Sequence, residues 1–177
     1  MKIKNLFLFL LLFLSHPGFS AEINHLFSAA ILGKTERVKS LLADGVDVNG
    51  KTATGRTAMM AASFNGNVRV ARILLAYGAD VNLSDNLGST ALMDAVVFGS
   101  EELVKLLITA GADINAVDNQ NVSVIDKAKT TDFSNIVKLL EKSAPPKEED
   151  STAEDSAETE DNSETTKDSD VKKEKSK

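Results

Sequence analysis

The side chains that could do chemistry are few, and most of them fall on a grid. Asp47, Asp80 and Asp113 stand 33 residues apart, in the runs Gly45-Val46-Asp47-Val48-Asn49, Gly78-Ala79-Asp80-Val81-Asn82 and Gly111-Ala112-Asp113-Ile114-Asn115. Carboxylates in close pairs can serve as acid and base on a glycosidic bond. Set one per repeat, these three are about one stacking distance apart, too far for such a pair. Their expected job is to bond the backbone of the turn that carries them. Beyond the N-terminal apolar stretch His25 is the sole histidine, so no second imidazole completes a zinc pair. A Ser-His-Asp triad would have to use His25, yet no serine lies in a Gly-x-Ser-x-Gly setting. The chain has no cysteine, which removes thiolate nucleophiles, thiolate metal sites and disulfides. No glycine-rich loop ends in Lys-Ser/Thr to cradle a phosphate. The residues read as non-catalytic, with no cofactor and no metal; a hydrolase or metal-dependent enzyme is the remotest alternative.

The elements that position these residues repeat with the same period. Thr57-Ala58-Met59-Met60-Ala61-Ala62 matches Thr90-Ala91-Leu92-Met93-Asp94-Ala95, and Leu41-Leu42 matches Leu74-Leu75 and Leu107-Ile108. Ala29, Ala62, Ala95 and Ala128 form one column, and Gly55, Gly88 and Asn121 another. A fixed period of this length marks stacked supersecondary units. Each unit reads as two short helices and a turn. Thr57 and Thr90 are placed to cap first helices, and Asn67 and Ser100 second ones. Gly66, Gly78, Gly99 and Gly111 suit left-handed residues after helix ends. Val70, Ile73 and Leu74 mark a buried stripe, and Met59, Met60 and Met93 read as core fillers.

The pattern Gly-x-Thr-Ala-Met/Leu-Met-x-Ala, then Gly, Leu-Leu and Gly-Ala-Asp-Val/Ile-Asn resembles the ankyrin repeat. The resemblance implies an all-α solenoid of four helix pairs with β-turn finger loops, over residues 22–144, in units of about 22–49, 50–82, 83–115 and 116–144. Ala58 and Ala91 stand where the family has Pro, and Met60 and Met93 where it has His, so the family's His hydrogen bonds between repeats are not expected. In the first unit Asn24 takes the Thr column and is expected to cap a helix from His25 to about Leu32. In the fourth, Ser123 takes that column, Ile136, Leu139 and Leu140 the buried stripe, and Lys138, Glu141 and Lys142 face water.

The two ends differ from the middle. Residues 1–20 resemble a secretory signal: Lys2 and Lys4, nine apolar residues from Leu6 to Leu14, then Pro17-Gly18-Phe19-Ser20 with cleavage after Ser20. Nine apolar residues fall well short of the ~20 that cross a bilayer, so no stable membrane span is expected. A secreted ankyrin-like array suggests a bacterium and a periplasmic or extracellular location. Residues 147–177 hold 12 acidic and 6 basic side chains, which accounts for the whole net charge of −6. With so few apolar residues, 145–177 is expected to be a disordered acidic tail, solubilising or, alternatively, an electrostatic arm. The absence of a basic stripe argues against nucleic acid.

The resemblance implies a protein partner, docked on turn tips and the exposed face of the first helices. By column these are Ala53, Thr54, Arg56, Asn86, Leu87, Ser89 and Val122 at the tips and Phe64, Asn65, Val97 and Phe98 on the helices. Arg56, Phe64, Asn65, Leu87, Ser89, Val97 and Phe98 are the candidate partner-binding set, since exposed apolar residues and aromatic anchors favour docking. The competing reading of Phe64 and Phe98 is local core over the helix ends. The expected function is a monomeric, non-catalytic protein-interaction scaffold; the alternative is a secreted effector that engages host proteins.

Overall fold

The structure is a computed structural model that describes residues 18–143. Residues 1–17 of the expected signal (1–20) and the whole expected tail (145–177) lie outside the described residues. Eight helices follow in pairs: α1 (Gly18–Ile31) and α2 (Thr35–Ala43), α3 (Ala58–Phe64) and α4 (Val68–Ala76), α5 (Ala91–Phe98) and α6 (Glu101–Thr109), α7 (Val124–Lys129) and α8 (Ser134–Ser143). First helices pack on first helices, α1 on α3 on α5 on α7, and second helices form a parallel layer behind them. This is the all-α repeat solenoid expected from the period. The only strand-like features among the described residues are single antiparallel bridges, Ser84 to Thr90 and Val117 to Ser123, at the base of the fingers.

Sequence chemistry accounts for the helix starts. The Met60 N–H donates to Thr57 Oγ1 at 3.3 Å, the Met93 N–H to Thr90 Oγ1 at 3.4 Å and the Leu103 N–H to Ser100 Oγ at 3.4 Å. Each bond satisfies one of the donors that a first turn leaves without an intrahelical acceptor. Ser123 goes further and forms a reciprocal capping box with Asp126. Two starts differ from expectation. Asn67 makes no side-chain cap on α4; its Nδ2 donates at 2.9 Å to the carbonyls of Ala30 and Ile31, the C-terminal end of α1. Asn24 lies inside α1, which begins at Gly18 rather than His25. Nothing in Ser20-Ala21-Glu22-Ile23 breaks a helix, and Ile23 is buried with its side chain against Gly50. That contact holds the added turn.

One continuous core runs through the stack. Leu26, Met59, Met60, Leu74, Leu92, Met93, Leu103, Leu107 and Ile136 are each under 2% exposed. The methionines are therefore core. Of the expected stripes, Val70, Leu74, Ile136 and Leu140 are buried, while Ile73 and Leu139 pack on the core only in part.

The aspartate columns hold the loops. Asp80 Oδ1 accepts the Asn82 N–H at 2.8 Å, and Asp47 and Asp113 do the same for Asn49 and Asn115. The asparagine amides then reach the next unit. Asn82 Nδ2 donates to the Gly111 carbonyl at 2.9 Å, and Asn82 Oδ1 accepts the Asp113 N–H at 2.8 Å. Asn49 repeats this with Gly78 and Asp80. Each Asp orders its own turn, and each of these Asn side chains clips that turn to its neighbour. The fingers are joined too, by the Asn86 N–H to the Thr54 carbonyl at 3.1 Å and the Asn119 N–H to the Leu87 carbonyl at 3.0 Å.

Candidate functional site: the open face of the first helices

The seven candidate residues divide by what they touch. Leu87 is 72% exposed at a finger tip, Val97 52%, Phe98 49% and Phe64 47% at the ends of α5 and α3. Exposed side chains of this size lose contact with water when a partner covers them, at about 25 cal/mol per Å² of apolar area. Phe98 has a second role. Gly66, in the left-handed region at φ +65°, lies so close beneath the Phe98 ring that a Cβ there would overlap it. Phe133 covers Gly99, at φ +85°, in the same manner. Both readings of Phe98 therefore apply, since the ring packs over the preceding unit yet is half open to solvent.

Arg56, Asn65 and Ser89 are engaged within the protein. Asn65 Nδ2 donates to the Ile31 carbonyl at 2.8 Å, joining Asn67 over the end of α1. Ser89 is half-buried, its hydroxyl 3.9 Å from Met93 Sδ. The Arg56 guanidinium lies across the open face, over the Phe64 ring at 5.5 Å from its centroid. Its Nη2 pairs with the Asp94 carboxylate on the adjacent helix, and its Nε lies 4.0 Å from Asp85 Oδ2. A cation held over an aromatic ring and against a carboxylate is partly compensated for the water it has lost.

A short run of charges continues along the floor. Lys127 Nζ meets Asp118 Oδ2 at 2.7 Å. The bond from Lys127, with N–H donors from Val122 and Gln120, holds the Asp118 carboxyl below the usual carboxylate range. Asp94 moves the other way. Burial pushes it up to about 6, and the attraction of Arg56 offsets only part of that effect. Asp94 and Lys127 were not in the candidate set. A signal for them exists in the repeat grid, where Ala61, Asp94 and Lys127 share one column. The column passes from the small residues Ser28 and Ala61 to charge at Asp94 and Lys127, the two side chains that pair with Arg56 and Asp118.

His25 is exposed on α1, and the described residues hold no cluster of three metal-binding side chains. A cleft of about 620 Å³ at the starts of α2 and α4 is bordered by Thr35, Asn67, Arg69, Arg72 and Glu102. Asn67 there is bonded to α1, and Arg72 pairs with Glu102 at 3.2 Å. No helix of the described residues is long and apolar enough to cross a membrane.

Comparison with known proteins agrees with this architecture. The family model for ankyrin repeats, in three copies, matches residues 26–118, more than half of the chain. The fourth helix pair, α7 and α8, lies beyond that match. No curated protein matches the sequence.

Proposed function

The chain belongs to the ankyrin repeat family, and we propose that it is a rigid scaffold that grips a protein partner through the open face of its first helices, in the periplasm or outside the cell. Ankyrin repeats are protein-interaction modules, and the family is typically non-catalytic. The observation that carries the proposal is the exposure of Phe64, Leu87, Val97 and Phe98 on two successive units whose turns and fingers are tied together by the Asn82 and Asn86 side chains. A frame fixed in this way loses little conformational freedom on binding, which leaves more of the contact energy as affinity. The location rests on the N-terminal sequence, with its two lysines, apolar run and small residues before position 21.

The test uses the two side chains that are most exposed and least involved in packing. Leu87→Ser/Val97→Ser should lose capture of the partner in cross-linked affinity purification from the periplasmic fraction, with the helical circular dichroism unchanged. Undiminished capture of the same protein would place the contact elsewhere. Fractionation tests the location: retention in the periplasm supports a resident scaffold, and release to the medium supports the effector alternative.

A further inference from the structure

We infer that Arg56 is a two-position latch on this face, held over Phe64 by Asp94 and handed to Asp85 when Asp94 takes up a proton, so that mild acid uncovers the Phe64 ring. The reading of this face as a binding surface gives the latch its purpose, but the latch itself can be tested without a partner.

The geometry supplies two carboxylates and one guanidinium. Arg56 Nη2 is bonded to Asp94, while Arg56 Nε is buried with no acceptor and lies 4.0 Å from Asp85 Oδ2. A buried donor without an acceptor is costly, and a swing of the guanidinium toward Asp85 would satisfy it. Asp85 is ready to receive it. The Leu87 and Ser89 N–H groups each donate to Asp85 Oδ1 at 2.9 Å, which fixes the carboxylate and leaves Oδ2 facing Arg56.

The charge count favours the exchange. The floor carries three carboxylates, Asp85, Asp94 and Asp118, and two cations, Arg56 and Lys127. Lys127 is committed to Asp118, so one negative charge is in excess. Asp94 is the one that gives way. It is 13% exposed, accepts no backbone N–H, and is pushed up by burial to about 6. The charged groups facing it are Arg56 from the loop before α3, Asp85 from the finger and Lys127 from α7. On α6, Glu101 and Lys105 pair with each other at the surface. Once Asp94 is neutral, the stronger attraction for Arg56 comes from Asp85. The guanidinium then leaves the Phe64 ring, and an apolar face opens to a partner.

Nuclear magnetic resonance on the chain from residue 21 onward tests this. The Arg56 Nε–Hε signal and the Phe64 ring signals are followed from pH 7.5 to 5. Both are expected to move with one midpoint near pH 6, and in Asp94→Asn both should sit at their acid positions throughout. In Asp85→Asn the Arg56 Nε–Hε signal should not reach its hydrogen-bonded position, and the Phe64 signals should move much less over the same range. Asp94→Ala serves as a second neutral variant, since alanine already fills this column as Ala61. Signals that stay still over this range in the native chain, or that titrate unchanged in either Asp94 variant, would overturn the latch. Partner capture by the native chain that is equally strong at pH 7.5 and 5 would leave the binding proposal standing while removing the latch's role in it.

Discussion

Gly66 and Gly78 both adopt positive φ, at +65° and +82°, but they differ in what surrounds them. Around Gly78 no atom lies within 4 Å of an added Cβ, so Gly78→Ala should cost only the conformational penalty, about 1–2 kcal/mol. Gly66→Ala should cost more, because the new methyl must also lift the Phe98 ring, and urea denaturation of the two variants side by side measures the gap. Asp94 makes a different prediction. Its folded value lies above its ordinary 3.8, so its contribution to folding is fully present below about pH 4 and is lost as pH rises through about 6. Asp118 and Asp126 are held low, so their contribution is present above the ordinary range and is lost only in stronger acid. Between pH 4.5 and 7.5 the slope from Asp94 should dominate over those two. The native chain should lose roughly 1–2 kcal/mol relative to Asp94→Asn across that interval, read from melts at each pH. Local roles such as the caps at Thr57 and Thr90 and the left-handed glycines are legible in the sequence because they depend on residues within one turn. The Arg56–Asp94 pair is not, since it spans 38 positions and is fixed by how far apart neighbouring units stand.

At the scale of elements, the helices are short and lean on their neighbours. No second helix but the last exceeds nine residues, a length that is marginal in isolation. Leu107, on α6, is fully buried, and Leu107→Ala should cost about 2–5 kcal/mol in a thermal or urea melt. Asn82→Ala removes the clip between two turns without opening the core. Its two bonds, at 2.9 and 2.8 Å, predict a loss of about 1–2 kcal/mol at the summed net value of such bonds. An unchanged denaturation midpoint in Asn82→Ala would mean that the layers of helices alone set the register. The period gave away the helix pairs and the turns, because apolar columns recur wherever a face is buried. It did not reveal that α1 starts at Gly18, since this first turn has no counterpart in later units and depends on Ile23 meeting Gly50. Nor did it reveal that Asn65 and Asn67 serve the end of α1, because an asparagine at a helix start has the same local signature whether it caps its own helix or a neighbouring one.

For the whole molecule, stability is a sum over units and the contacts between them. The last pair, α7 and α8, buries Val124, Ala128, Ile136 and Leu140 against α5 and α6. A chain ending at Asn115 would expose that surface and should melt at a distinctly lower temperature than one ending at Ser143, with dye binding that reports the uncovered apolar flank. The clips between turns add a consequence for how the protein can be rebuilt. Asn49 and Asn82 each hook the following turn, and Asn115 holds the same place in a turn formed in the same way. The third turn thus carries a coupling residue of the same gauge as the other two. Splicing a second copy of 83–115 in after Asn115 would give that side chain a Gly-Ala-Asp turn to hook and lengthen the rod by one rung, and a longer rod that melts higher would show that the joint repeats.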